Sequence, residues 1–249
     1  MKAWHVLITG GSAGIGLSIA ERLVAEGAVV HLTGRKAQPL EAARRRLGDR
    51  AHIYAGDVGD AGQRISVLRT LTERSGGRLD GLVLNAAKYG YKPLLQLADT
   101  EVEAYFRTNT MSLVPWVNGC HPLLLRGEGK AVLFISSTLS ERPVPGTGPY
   151  AASKAAMNIL AKCYALELAR DQIRVNAILP GVVDTGIHEP QGPTDPSRAE
   201  KMADLAKIHP LGRVGFPIDI AEAALFLLSR KAEWITGSLF TVDGGVSIA

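Results

Sequence analysis

Short, continuously apolar runs recur along this chain at residues 6–9, 29–33, 52–55, 81–85, 131–136, 174–179 and 239–242. Strands covered on both faces need such runs, because neither side of them meets water. Longer stretches with apolar residues at helical spacing separate the runs, at about 14–26, 39–47, 62–75, 100–126, 150–170 and 218–229. Strand and helix in regular alternation lead to a parallel sheet with right-handed crossovers and helices on both faces. The expected fold is therefore α/β, one doubly wound parallel sheet of about seven strands flanked by helices. A chain of 249 residues, 46% of them hydrophobic, suits a single domain over residues 1–249.

The first apolar run leads straight into Thr9-Gly10-Gly11-Ser12-Ala13-Gly14-Ile15-Gly16. Glycines between a strand and a helix let the backbone close on a pyrophosphate. The helix N-terminus then offers that anion free N–H groups and the positive end of its dipole. The spacing, with Gly10, Gly14 and Gly16, differs from the common G-x-G-x-x-G fingerprint, so the position between strand and helix carries the reading.

A second pattern lies in Pro149-Tyr150-Ala151-Ala152-Ser153-Lys154. Residues four apart share one face of a helix. An ammonium beside a phenol favours the phenolate and lowers the phenol's pKa from about 10. Such a tyrosine can serve as general acid or base near neutral pH. A tyrosine and a lysine at this spacing also occur on ordinary solvated helices, so the pair gains its weight from the rest of the chain.

Taken together, these residues resemble the short-chain dehydrogenase/reductase family. Thr9-Gly10-x-x-x-Gly14-x-Gly16, with Ser12 and Ile15 inside it, is similar to the family's cofactor turn. Tyr150-x-x-x-Lys154 is similar to its catalytic pair. Ser137, thirteen residues before Tyr150, matches the catalytic serine; Ser136 is its rival, and the offset favours Ser137. Asn109 matches the asparagine of the tetrad, and Asp57-Val58 the adenine-binding pair. Val183 and Thr185, in Pro180-Gly181-Val182-Val183-Asp184-Thr185, match the nicotinamide-binding segment. The matches run in order to Val242-Asp243-Gly244-Gly245 and look most like the 3-oxoacyl-[acyl carrier protein] reductase branch.

The resemblance implies a Rossmann-like fold and hydride transfer between nicotinamide C4 and a carbonyl carbon. Tyr150 would give or take the proton, Ser137 orient the oxygen, and Lys154 lower the tyrosine pKa and bind the ribose. Asn109 would hold a water for proton resupply. Val183 and Thr185 would fix the carboxamide. It also implies a homodimer or homotetramer paired through the largely apolar 150–170 helix.

Two departures stand out. The family usually has Asn-Asn-Ala-Gly where this chain reads Leu84-Asn85-Ala86-Ala87. Asn85 is expected still to brace the sheet beside the cofactor, and the Ala87 methyl to tighten the space near the adenosine ribose. Ala13 stands where many NADP-using members carry Arg or Lys. The cofactor choice rests on Gly34 and Arg35 after the second strand. An acid there would bind a ribose 2′-hydroxyl and repel a 2′-phosphate; a guanidinium forks onto that phosphate, with Ser12 as a further donor. NADP(H) is the expected cofactor.

The expected activity is NADPH-dependent reduction of a ketone or 3-oxoacyl group. Two alternatives stay open: oxidation of a sugar, steroid or polyol alcohol, and a cofactor-binding regulator without turnover. The complete set Asn109, Ser137, Tyr150 and Lys154 argues against the regulator. Residues 186–207 open with a Pro- and Gly-rich stretch, expected to form a lid over the substrate. Tyr89, Tyr91, Leu139, Val144 and His188 are candidates for the pocket entrance, and His121 for a structural role. The net charge of +4 is spread out, and Arg44-Arg45-Arg46 falls on a helix, so no nucleic-acid partner is expected. No run reaches the ~20 apolar residues that span a bilayer, and no signal peptide is recognised. Cys120 and Cys163 have no metal-type neighbour, so no metal is expected; both read as buried thiols of a cytoplasmic protein.

Overall fold

The expected strands form as β1 (His5–Thr9), β2 (Val29–Gly34), β3 (Ala51–Ala55), β4 (Gly81–Leu84), β5 (Ala131–Ile135), β6 (Arg174–Pro180) and β7 (Leu239–Val242). The structure is a computed structural model that describes residues 1, 3–186 and 197–249. All seven strands are parallel, in the order β3-β2-β1-β4-β5-β6-β7. The order reverses between β1 and β4, and in such sheets a binding crevice lies there, beyond the carboxyl ends of the strands.

The helices among the described residues are α1 (Gly14–Ala25), α2 (Ala37–Leu47), α3 (Ala61–Arg74), α4 (Asp99–Phe106), α5 (Leu113–Leu124), α6 (Gly148–Glu167), α7 (Arg198–Ala206) and α8 (Pro217–Leu228). Local chemistry sets several of their starts. Asp60 caps α3 by accepting the Gln63 N–H at 2.8 Å. Pro149 and Pro217 sit in first turns, where the missing N–H has no intrahelical partner to lose.

Alternate strand residues point to opposite faces. Ile8, Leu32 and Leu133 pack with α1, α2 and α8 on one face. Leu7, Leu82 and Phe134 pack with α3, α5 and α6 on the other. Burying each large aliphatic side chain contributes about 1.5–3 kcal/mol. Among the described residues no helix is long and apolar enough to cross a membrane.

Two expectations are corrected. The stretch 100–126 is not one helix: a π-helical turn, Arg107–Met111, separates α4 from α5, and the Ser112 N–H reaches back to the Arg107 carbonyl at 3.1 Å. The wider turn carries Asn109 into the interior, where it is fully buried, and the continuous apolar pattern hides the break. Cys163 is exposed rather than buried, because it lies on the outer face of α6; Cys120 is buried as expected. On the same helix, Ile159 and Leu166 stand exposed on a face that the sheet does not cover. Of the expected lid, residues 187–196, with His188, lie outside the described residues, and its later part forms α7.

A polar cluster crosses β1, β2 and β3. His31 is fully buried, and its two ring nitrogens share hydrogen bonds with His5 and with the Tyr54 hydroxyl, each at 2.9 Å. His52 lies alongside, with Arg74 facing Tyr54; Arg78 and Asp80 face His5. Burial, followed by the His5, His52 and Arg74 charges, pulls His31 down to about 3. The unfolded chain therefore binds a proton that the folded chain refuses. Stability is complete above about pH 6.5 and falls with the pH towards about 3, by about 1.4 kcal/mol per pH unit at most for this one proton. Urea unfolding at about pH 7 and about pH 5 is expected to show this loss, and His31→Phe to flatten the slope whatever it does to the stability at neutral pH.

Candidate active site

The crevice begins at the end of β1. The Thr9 hydroxyl accepts the N–H groups of Asn85 at 3.0 Å and Ala86 at 3.1 Å, which joins the ends of β1 and β4. The Asn85 side-chain amide donates to the carbonyls of Thr9 and Gly10, both at 3.0 Å. Asn85 thus braces the sheet as expected. Gly10 has φ +67° and Gly14 φ +55°, a region that favours glycine. A Cβ on Gly16 would stand 2.5 Å from the Gly10 carbonyl oxygen, so only glycine fits. Ala13 precedes α1 with no side-chain cap, and the first turn holds no acid. Its N–H groups and dipole therefore face the crevice uncompensated, around the half-buried Ile15. This cradle fits the pyrophosphate of a dinucleotide.

Other expected cofactor residues line the same rim. A Cβ on Gly14 would lie 3.3 Å from the Thr185 methyl group, so Thr185 stands over the glycine turn. Val183, just before it, is buried and bridged to Gly215. The Ser12 hydroxyl lies 3.2 Å from where a Gly34 Cβ would be. Arg35, next to Gly34, is exposed, with no ion pair among the described residues. Asp57 accepts the Gly59 N–H at 2.8 Å, and the Val58 carbonyl accepts the Trp116 indole N–H at 3.0 Å, which shapes the loop after β3.

The expected catalytic residues converge at the end of β5. Ser137 follows that strand, and Tyr150 occupies the first turn of α6. The Ser137 side chain lies close enough to the Tyr150 hydroxyl to favour its ionised form. Lys154 lies one turn on, almost wholly buried; its Nζ donates to the Ile135 carbonyl at 2.7 Å and stands 5.8 Å from the Tyr150 ring centroid. Ser136 points elsewhere, donating to the Lys154 carbonyl at 3.4 Å. Of the two serines, Ser137 is the one that meets the phenol.

Asn109 enters from the π-helical turn. Its Oδ1 accepts the Lys88 N–H at 2.8 Å, and its Nδ2 donates to the Lys88 carbonyl at 2.9 Å and to Ser153 Oγ at 3.0 Å. Ser153 in turn donates to the Tyr150 carbonyl at 2.7 Å. The side chain therefore joins the segment after β4 to α6.

The electrostatics correct one expectation. Burial pushes the Tyr150 phenol up to about 12, with the Ser137 hydrogen bond pulling the other way. Burial also brings Lys154 down to about 7. The phenol is not lowered by its neighbour, because a lysine in a dry cavity without a carboxylate loses much of its own charge.

Two contributors have no motif of their own. Ser153 carries the Asn109 link, and its only sequence signal is a place inside the Tyr150–Lys154 turn. Tyr89 meets Tyr150 ring to ring, with centroids 5.0 Å apart at 87°. Tyr91 and Val144 are exposed and near this mouth, while His121 pairs with Asp171 at 2.8 Å, a structural role.

Comparison with known proteins agrees with this architecture. A family model described as enoyl-(acyl carrier protein) reductase matches residues 10–247. A chloroplastic tropinone reductase homologue of Arabidopsis thaliana is 33% identical over 251 residues, covering 100% of this chain and 77% of the relative. A 3-oxoacyl-[acyl-carrier-protein] reductase of Aggregatibacter actinomycetemcomitans is 34% identical, covering 97% and 98%. The ligand-free aldohexose dehydrogenase of Thermoplasma acidophilum superposes with a TM-score of 0.90 at 29% identity, covering 100% of this chain and 95% of that one. A short-chain type dehydrogenase/reductase of Mycobacterium marinum does so at 0.91 and 28%, covering 100% and 97%. By sequence, sheet order and site, this chain belongs to the short-chain dehydrogenase/reductase family.

Proposed function

We propose that the protein is an NADPH-dependent carbonyl reductase acting on a ketone or 3-oxoacyl substrate. One observation carries the reading: a serine and a tyrosine from separate elements bring their side chains together beside a buried lysine, at the carboxyl end of the sheet. Relatives named as a tropinone reductase homologue and a 3-oxoacyl-[acyl-carrier-protein] reductase support carbonyl reduction. The neighbour named as an aldohexose dehydrogenase favours a second reading, oxidation of a secondary alcohol at the same residues.

When bound, the nicotinamide supplies or accepts the hydride at the substrate carbon. Gly10, Ser12, Gly14, Ile15 and Gly16 hold the pyrophosphate, Asp57 and Val58 the adenine end, and Asn85 the floor between them. Val183 and Thr185 hold the carboxamide, and Lys154 the ribose. Arg35 and Ser12 take a 2′-phosphate through charge-assisted hydrogen bonds. Hydride arriving at carbon leaves charge on oxygen, which calls for a fixed donor and a proton. Ser137 donates to that oxygen, and Tyr150 delivers its proton. The phenolate so formed is the anion that lets Lys154 hold its charge, so the two side chains titrate as one unit. The exposed Ile159 and Leu166 on α6 support pairing of two copies through that helix.

Tyr150→Phe keeps the ring and removes the proton. NADPH oxidation with ketones and β-ketoacyl thioesters is expected to fall about 10²–10⁴-fold, with NADPH binding, read by nucleotide fluorescence, unchanged. Retained turnover takes the proton transfer away from this phenol. Arg35→Asp is expected to shift the NADPH/NADH ratio of kcat/KM towards NADH by about tenfold or more, and an unmoved ratio counts against the 2′-phosphate contact.

A further inference from the structure

The segment after β4 is fastened at one end to the helix that carries Tyr150 and at the other to the loop that leads into it. At one end, the Asn109 side chain holds both backbone groups of Lys88, at 2.8 and 2.9 Å, and is tied to α6 through Ser153. At the other, the Lys92 N–H donates to the Gly146 carbonyl at 2.8 Å. Gly146, at φ +85°, lies flat against the Tyr91 ring, where a Cβ would stand 2.7 Å from the ring carbons. Gly90 is backed by the Tyr105 hydroxyl, which leaves no room for a side chain. Tyr89 lies between these fixings, half-buried, with its ring perpendicular to that of Tyr150. Its place against the phenol is imposed by the fold rather than chosen by a mobile loop.

We propose that Tyr89 is a positioning and specificity-determining residue: its ring fixes the orientation of Tyr150, keeps water from one side of the phenol, and forms the wall that limits the group beside the substrate carbonyl. The inference rests on the carbonyl reductase reading for its substrate part, and on the ring contact alone for its Tyr150 part. A perpendicular aromatic pair at this separation is attractive beyond the area it buries, so it favours one ring orientation. The same ring takes up the volume that a substituent on the carbonyl carbon needs. Compact ketones fit, whereas a bulky aryl or branched group meets Tyr89.

The groups that face the phenol are few. Ser137 reaches it from the end of β5, Lys154 from its own helix, and Tyr89 from the segment after β4. Behind Tyr89 stand Tyr91 and Tyr105. Lys88 lies over the Tyr105 ring at 5.3 Å, and Lys92 pairs with Glu101 at 2.7 Å. No carboxylate among the described residues contacts Tyr150. Replacing Tyr89 by a small residue admits water and removes a neighbouring phenol, and both changes favour the ionised form of Tyr150.

The test compares Tyr89→Ala and Tyr89→Phe in the full chain, with two readouts. In protein labelled with 3-fluorotyrosine, the Tyr150 fluorine resonance is assigned by its loss in Tyr150→Phe. Its titration midpoint is expected to fall by about one pH unit in Tyr89→Ala and to return close to the starting value in Tyr89→Phe. With NADPH and a ketone series, Tyr89→Ala is expected to raise the kcat/KM ratio of bulky aryl over compact ketones about tenfold, and Tyr89→Phe to leave it alone. A Tyr89→Ala protein with unaltered melting, Tyr150 midpoint and ketone ratio overturns the proposal. Should that variant fail to fold, Tyr89→Leu is read in the same two ways. If no ketone is reduced by the unsubstituted protein, the reductase reading and the substrate part fail. The Tyr150 part is then still decided by the resonance alone.

Discussion

A lysine stands inside this protein with no carboxylate among the described residues to receive its charge. The Lys154 ammonium has the Ile135 carbonyl as its oxygen partner and is almost wholly buried. Holding a charge in such a place costs several kcal/mol unless a partner offsets it, so the group sheds its proton near neutrality instead. The phenol beside it faces the same dry surroundings and keeps its proton to about 12. Near neutral pH the phenol is therefore protonated and the lysine close to its midpoint. That state suits the proposed chemistry. A proton leaving Tyr150 creates the one anion that makes a charged Lys154 worth holding, and the low dielectric strengthens the attraction once both charges exist.

The arrangement depends on strands ending at one level. Parallel pairing sets Leu84 against Phe134 and Phe134 against Ala177, so β4, β5 and β6 deliver their following residues to the same edge. Ser137 leaves β5 there, Asn85 leaves β4, and Val183 follows β6. The first turn of α6 returns over this edge with Tyr150. The π-helical turn then acts as a cross-brace: it offers Asn109 to Lys88 on one side and to Ser153 on the other. Asn109, Ser137 and Lys154 each bond a neighbour's backbone and Tyr150 packs against the Tyr89 ring, which leaves these side chains little rotamer freedom to lose when a substrate binds.

How much of this is readable from residues alone depends on the range of the interaction. The seven strands are legible because burial on both faces demands unbroken apolar runs. The glycine turn is legible because close backbone approach leaves one residue type. The choice of Ser137 over Ser136 follows from the thirteen-residue offset to Tyr150, and Ser137 is the serine whose side chain lies beside the phenol, while Ser136 turns to the Lys154 carbonyl. Spacing puts Tyr150 and Lys154 on one helix face but says nothing of how dry that face is, so the direction of the phenol's pKa is misread. The break at Arg107–Met111 is invisible because the apolar periodicity runs through it. Tyr89 is visible as an aromatic near the crevice; its contact with Tyr150 is set by a loop path that no local pattern encodes. Cys163 is misread for a related reason, since a small apolar-looking residue on α6 has two faces to choose from.

The two faces of the sheet divide the work. On the side of α1, α2 and α8, Ile8, Ile19, Leu23, Leu32, Leu40 and Ile220 are all but fully buried in one apolar cluster. At about 1.5–3 kcal/mol for each large side chain, that cluster supplies stability with little polar penalty. The other face carries buried ionisable groups as well as its own core. His31 stands at one end, level with Leu7 in the sheet, and Lys154, close to Met157, at the other. Burial draws the pKa of both downwards, and both make folding depend on pH in the same direction, since the unfolded chain takes protons that the native interior holds less tightly. A chain able to keep a titrating lysine in its interior needs surplus stability elsewhere, and the apolar face is where this fold places it.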